Sequence, residues 1–466
     1  MPCNVLHRDQ KDDREEQNMS AVWIKNPLAV YSPEGLDAGG GLVIEDQQIV
    51  ELIPNGSRPT ISGCEIFDAS RHVVLPGLIN THHHFYQTLT RAVPAACGKE
   101  LFSWLKVLYD IWAKLGPEHI RISSRLALAE LLLSGCTTAS DHHYVFPSGL
   151  EHAIDLQVEE AGKLGLRASL TRGSMSLSVE EGGLPPKSVV QDEERILADS
   201  ERLIEKYHDA TPGSMVQIGL APCSPFSVSE TLMVETARLA RRYGVRLHTH
   251  LAETHDETDY CTDLFGERPL DYLERVGWLA NDVWLAHGIQ FEPAEITRLG
   301  AAGIGISHCP SSNMVLASGI CPTLDLENAG CAVGLAVDGS ASNDCSNLMQ
   351  EVRQALCLQR LKYGAGKICH RDVLRWATRG SARCLGRDDI GEIGRGKQAD
   401  LALFKLDELR FSGAGDPLAA LVMCGAHKAD HVMIAGRWVV AGGEIYGLDL
   451  EQLIHEHSSM AKTLQA

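Results

Sequence analysis

The 20 histidines of this 466-residue chain are not spread evenly. Three stand together as His82-His83-His84, two as His142-His143, and His248 and His250 are one residue apart. Neutral imidazole is the commonest protein ligand for metal ions, so this grouping points toward a divalent cation. In an extended segment successive side chains face opposite ways, so His82 and His84 share one face and His83 takes the other. Taken alone, the pair is equally well explained as hydrogen-bonded core histidines. Further along stand Glu253 in HTHLAE, His287 in LAHG and Asp338 in LAVDGSASND, each at the end of an apolar run. Carboxylates seldom sit unpaired beside apolar strands. Together these residues read as a metal site edged by general acid/base groups rather than as packing.

Something must bring those strand ends to one place. Between residues 75 and 387, apolar runs at 77–82, 137–141, 166–171, 215–221, 245–250, 283–287, 303–308 and 332–338 alternate with stretches of helical apolar spacing such as SETLMVETARLARRYG. Eight strand–helix units predict a (β/α)8 TIM barrel, an α/β fold whose catalytic groups gather at the C-terminal ends of the strands. A doubly wound open sheet is the alternative. Residues 19–74 and 388–466 carry short β-rich runs broken by Gly, Pro and Asn, with a helix at the far end. The two ends are expected to join in one small β-sandwich domain, and residues 1–18 to form a solvated, disordered tail.

Composition excludes several function classes. A formal net charge of -19 opposes sequence-independent attraction to phosphate backbones and anionic membranes, so no nucleic acid and no membrane partner is expected. No apolar run is long enough to span a bilayer, and the mixed-charge start MPCNVLHRDQKDDREEQN lacks a secretory pattern, so a cytoplasmic location is expected. The 14 cysteines are scattered, without CxxC, and read as reduced thiols. GEIGRGK mimics a phosphate loop, but Gln398 stands where a Ser or Thr must meet magnesium.

PGLINTHHH, His250 with Glu253, His287 and Asp338 resemble the amidohydrolase superfamily, in its cytosine, guanine and triazine deaminase-like branch. The likeness runs from about Val22 into the C-terminal region, including GEIGRGKQADLALF. It implies one divalent metal ion, zinc with iron as the alternative, held by His82, His84, His250 and Asp338. It implies that Asp338 takes a proton from water and passes it to departing ammonia, that Glu253 protonates a ring nitrogen, and that His287 orients the attacking oxygen. Many superfamily members hold two metals bridged by a lysine near the end of strand four; LAPCSPF has none, which favours one metal. Asn80 departs from the Asp that many members carry, at a position that is not a ligand. The implied substrate is a small purine-like ring, 8-oxoguanine giving urate and ammonia, with guanine, isoxanthopterin and triazines as alternatives. Barrels of this branch often pair, so a homo-oligomer is expected.

Three residues are candidate substrate contacts. Gln87 offers both a donor and an acceptor to a lactam edge. Arg172 could hold a carbonyl oxygen, with a structural ion pair as the plain alternative. Tyr144 could bond or stack, with core packing as the alternative. Trp104 and Trp112, on one helix face, read as core. His142 and His143 are placed after strand two near the pocket, His248 as a packed histidine behind His250, and His308 without a role. The segment from Arg91 to Pro117 is the candidate lid by length. A non-catalytic scaffold would be expected to have lost some of these groups, and none is missing.

Overall fold

The computed structural model describes residues 21–32 and 36–466, so the expected tail at 1–18 lies outside the described residues. Eight parallel strands pair in chain order: β1 (Leu78–Asn80), β2 (Cys136–His143), β3 (Arg167–Ser174), β4 (Val216–Pro222), β5 (Leu247–Leu251), β6 (Val283–His287), β7 (Gly305–His308) and β8 (Ala332–Leu335). The connecting helices bury one face; Leu101–Trp112, α1, buries positions 101, 104, 105, 108, 109 and 112 at the spacing of an amphipathic helix.

Closure between β8 and β1 is made by a few bonds. Thr81 N–H donates to Leu335 O at 3.2 Å, and Asp338 N–H to His82 O at 3.2 Å. Asn80 accepts from Val337 N at 2.9 Å and donates to His82 O at 3.1 Å. An amide can do both, whereas a carboxylate could not make the second bond. The residue that departs from the superfamily pattern is therefore part of the seam.

Strand ends differ from expectation at β1, β2, β3 and β8, and β1 stops at Asn80, so His82 follows the strand rather than ending it. β2 continues through His142 and His143, which pair with Thr171 and Arg172 of a longer β3. These two histidines lie in the strand, not after it, and Arg172 lies inside β3. β8 stops at Leu335, leaving Asp338 in the following turn.

Both termini contribute to a β sandwich. One sheet runs Gln48–Ile53, Gly41–Glu45, Val22–Lys25, Glu65–Asp68. In the other, His72–Pro76 lies antiparallel to Leu401–Lys405, which continues into His431–Ile434 and Arg437–Ala441. Ile24, Leu42, Ile44 and Ile49 meet Val74, Leu401, Leu403 and Met433 between the sheets. The strand His72–Pro76 crosses the boundary expected at residue 74, because it carries the chain from the sandwich straight into β1. The terminal helix, Leu450–Gln465, packs on the barrel, with His457 bonded to Thr88 at 3.1 Å and Gln465 to Leu89 O at 2.7 Å. Every described cysteine is free, and no described helix is long and apolar enough to cross a membrane.

A buried ion pair joins the sandwich to the barrel. Arg167, at the start of β3, reaches Asp400 through Nε at 2.6 Å and Nη2 at 3.1 Å, and also donates to Gly213 O and Gln398 Oε1. Removing one partner leaves the other charge buried. Arg167→Met is expected to lower unfolding free energy by about 3–5 kcal/mol, measured by urea unfolding; a loss below about 1 kcal/mol would mean the charge finds water or another partner.

Candidate active site

Three imidazoles have their protons fixed by their neighbours. His84 Nδ1–H donates to His142 O at 2.7 Å, and His250 Nδ1–H to Cys223 O at 2.7 Å. Behind His82 stands His248, whose Nδ1 lies 2.8 Å from Trp284 O. A carbonyl can only accept, so His248 carries its proton on Nδ1, and its Nε2 accepts from His82 Nδ1–H at 2.7 Å. All three Nε2 atoms are left as bare lone pairs, and they converge. His84 Nε2 and His250 Nε2 are 3.2 Å apart, and His82 Nε2 is fully buried with no hydrogen-bond partner. Asp338 Oδ1 lies 3.3 Å from both His82 Nε2 and His84 Nε2. Burial lowers the His82 and His84 pKa values and takes that of His250 to about 4, so protonation does not relieve the crowding. A cation does, and three imidazoles with one carboxylate suit zinc or another first-row divalent ion.

Acid and base are set apart by their surroundings. Burial alone would raise the Asp338 pKa, but His82, His287 and His84 hold it well below the usual carboxylate value. Its Oδ2 accepts from Ser312 Oγ at 2.6 Å, and Oδ1 from Gly339 N at 2.6 Å. Burial, with the nearby Asp338 and Glu257 charges, pushes Glu253 well above 4.5. Two carboxylates in one site are thus pushed in opposite directions by their surroundings. His287 lies between them, with Nε2 3.4 Å from Glu253 Oε2 and 3.9 Å from Asp338 Oδ2, and Nδ1 2.9 Å from the Asn313 amide nitrogen. Donation from that amide leaves the His287 proton on Nε2, facing the carboxylates. Ala252, His287 and Asp338 have φ of 53°, 72° and 61°, an uncommon left-handed backbone at the ends of β5, β6 and β8.

These groups floor a pocket that also has apolar and aromatic side chains in its lining, the mixture expected of a small-molecule site. Gln87 and Tyr144 line it, and the structure thus brings both to the site. Gln87 Oε1 accepts from Ala341 N at 3.3 Å, so the amide turns only its N–H donors to the cavity rather than a donor and an acceptor. A Cβ on Gly339 would stand 1.9 Å from that oxygen, which explains the glycine. Arg172 is not brought to the site. Its side chain leaves the opposite face of β3, bonds Asp199 at 3.0 Å, Gln191 at 2.7 Å and Gly173 O at 2.6 Å, and packs over Phe146. This corrects its assignment as a substrate contact: it is an ion-paired group between strand and helix. α1 roofs the cavity with Leu101, Trp104, Leu105 and Tyr109, so Trp104, expected as core with a stacking platform as the alternative, faces the cavity.

Residues 73–439 match the amidohydrolase family. The chain belongs to that family. It is 62% identical over 448 residues to an 8-oxoguanine deaminase of Pseudomonas aeruginosa, covering 96% of this chain and 100% of that one. It is 36% identical to an isoxanthopterin deaminase of an unknown prokaryotic organism, over 86% of this chain and 88% of the relative. Among solved structures, the atrazine chlorohydrolase of Arthrobacter aurescens TC1 complexed with zinc superposes with a TM-score of 0.88 at 32% identity, covering 95% and 100%.

Several residues that shape this amidohydrolase site were not singled out from sequence. Glu257 accepts from the amides of Ala252 at 2.9 Å and Glu253 at 3.0 Å, fixing the turn that carries Glu253. Ser312 holds Asp338, Asn313 holds His287, and Ser318 reaches Glu253 at 3.3 Å. The serine and asparagine pairs meet across 26 to 65 residues of chain, which local spacing cannot reveal, whereas Glu257 stands four and five residues from the amides it accepts. His308 itself lies behind the site, 3.1 Å from Gln359. His142 stacks on His250 at 4.8 Å and bonds Ala221 O, while His143 faces Tyr86 and Phe146. A second cluster, His72, Asp430 and His431, is a hydrogen-bonded clasp in the sandwich whose carboxylate also meets Lys405 at 3.1 Å.

If the bare nitrogens need a cation, a saturating divalent ion stabilises the fold by mass action. Chelation is expected to lower the unfolding temperature and zinc to restore it, by about 2.7 kcal/mol when free zinc is 100 times its dissociation constant. His84→Ala is expected to bind far less than the native chain by elemental analysis. Equal metal content in the two would remove His84 from the ligand set.

Proposed function

We propose that this chain is a mononuclear, zinc-dependent aminohydrolase that converts 8-oxoguanine and water to urate and ammonia. The observation that carries the chemistry is the convergence of three bare imidazole nitrogens on an ionised Asp338, with a protonated Glu253 beside them. The 62% identity to an 8-oxoguanine deaminase supports the ring. His82, His84, His250 and Asp338 would hold the ion, which when bound supplies Lewis acidity and a more acidic water.

The protein's own groups then divide the work. Asp338 accepts the proton of the attacking water, with Ser312 keeping its Oδ2 oriented. Glu253, already carrying a proton, gives it to the ring nitrogen next to the amino-bearing carbon. His287 Nε2–H steers the attacking oxygen. A C–O bond forms at that carbon, its C–N bond breaks, the proton taken by Asp338 leaves with ammonia, and the proton of the new hydroxyl returns to Glu253 as the carbonyl forms. Gln87 donates to an acceptor on the ring, and α1 with Phe226 excludes bulk water.

The reading also takes the protein as a cytoplasmic homo-oligomer acting on a free small molecule. A formal charge of -19 and a site roofed by a helix support this over a nucleic-acid substrate.

Ammonia release is measured from 8-oxoguanine, guanine, isoxanthopterin, cytosine and melamine, with urate followed in parallel. Preference for 8-oxoguanine is expected. Release from another ring keeps the chemistry and changes the substrate; release from none by zinc-loaded protein overturns the reading. Glu253→Gln is expected to reduce kcat by about 10²–10⁴ while binding zinc normally, and Asp338→Asn to abolish turnover. Near-native kcat in either variant would contradict its role as proton carrier.

A further inference from the structure

The buried aspartates and glutamates of the described residues fall into three groups. Asp338 and Glu253 carry the proposed proton transfers. Glu160, Glu295 and Asp400 pair with Arg125, Arg268 and Arg167. Asp141, Glu257 and Glu351 accept from neutral groups instead: Asp141 from Phe85 N and the Gln157 amide, Glu257 from the Ala252 and Glu253 amides, Glu351 from Ser311 and Asn343. Burying a carboxylate without a counter-ion is costly. Each member of this last group braces a turn beside the site, and Glu351 braces two.

Glu351 is completely buried on the helix Leu348–Tyr363. Ser311 donates to it twice, through N–H to Oε2 at 3.0 Å and through its hydroxyl to Oε1. The Asn343 amide donates to Oε1 at 3.1 Å and also to Val337 O at 2.6 Å. Ser311 N–H and the Asn343 amide nitrogen can only donate, which suits a carboxylate that only accepts. Burial pushes the Glu351 pKa up to about 7, and these donors oppose the rise.

Both turns lead directly to the groups that move protons. Ser312 and Asn313, which follow Ser311, bond Asp338 Oδ2 and His287 Nδ1. Val337 O belongs to the peptide whose N–H, that of Asp338, is held by His82 O. This peptide is therefore clamped from both sides where the backbone turns left-handed, at a φ of 61°. One carboxylate thus connects the turn that carries Asp338 with the turn that supplies the partners of Asp338 and His287.

We propose that Glu351 is a positioning residue for the proton transfers, locking the turn at 311–313 against the turn at 338–343 so that Ser312 meets Asp338 and Asn313 meets His287. This rests on the aminohydrolase reading and deepens it. A misplacement of about 1 Å among reacting groups can cost about 10²-fold in rate.

Glu351→Gln keeps the size of the side chain and turns a donor toward groups that donate. It is expected to lower kcat for 8-oxoguanine about tenfold or more, with KM nearly unchanged and native zinc content by elemental analysis. Ser311→Ala, which removes one of the bonds, is expected to lose about threefold in the same direction. Because Glu351 acts through the turn that holds Ser312, adding Glu351→Gln to Ser312→Ala should cost far less than adding it to the native chain. A merely structural role would lower the unfolding temperature and leave the kcat of folded protein unchanged. Native kcat in Glu351→Gln, a loss confined to KM, or losses that add fully with Ser312→Ala would overturn the proposal while leaving the deaminase intact. Should Glu351→Gln fail to fold, native kcat in both Ser311→Ala and Asn343→Ala would overturn it equally. If zinc-loaded native protein releases ammonia from no ring, the aminohydrolase reading falls and this one with it.

Discussion

Three imidazole nitrogens with their lone pairs turned on one another repel until a cation enters. The rest of the site is arranged to sustain that repulsion. Each ring is denied the easy remedy of shifting its proton to Nε2, because its Nδ1–H is held by a carbonyl or, for His82, by a histidine itself tied to a carbonyl. Those carbonyls belong to His142, Cys223 and Trp284, in or beside β2, β4 and β6. The barrel's hydrogen-bond register therefore determines the tautomers. Asn80 and the Thr81 and Asp338 amides close the last gap beside His82. A slip at that seam would misplace a ligand and the proton carrier together.

The same burial produces opposite effects on two carboxylates a few ångströms apart. Asp338 accepts from the Ser312 hydroxyl and the Gly339 amide, and its charge is stabilised. Glu253 faces other carboxylates and a single serine, and its charge is not. Acid and base arise from the neighbours, since both side chains begin with similar acidity. The left-handed backbone at Ala252, His287 and Asp338 turns these groups inward, and amide bonds to Glu257 and His82 hold two of the three strained turns.

The sequence was most readable where period and chemistry coincide. Eight apolar runs with polar ends fixed the barrel, and His82, His84, His250, Glu253, His287 and Asp338 stand together because they come from the C-terminal ends of four strands, β1, β5, β6 and β8. Arg172 was misread because the length of β3 was misjudged: a side chain near a strand end serves the site only if it leaves the inner face, and Arg172 leaves the outer one. Ser312, Asn313 and Ser318 carried no local signal, since a supporting hydrogen bond between distant residues depends on where two segments meet.

The strand pairing of His72–Pro76 with Leu401–Lys405 bears on the order in which the chain is made. Some 325 residues separate the partners, so at ribosomal rates of about 5–20 residues per second the first strand waits on the order of tens of seconds for the second. During that interval the unfinished sheet presents unpaired backbone and the apolar face of Val74, an edge open to pairing with other chains. Asp400, which neutralises Arg167, emerges just ahead of that late strand. A nascent chain halted before residue 400 would contain nearly the whole barrel yet carry a buried charge and an open sheet, which makes it a natural client for chaperones and proteases.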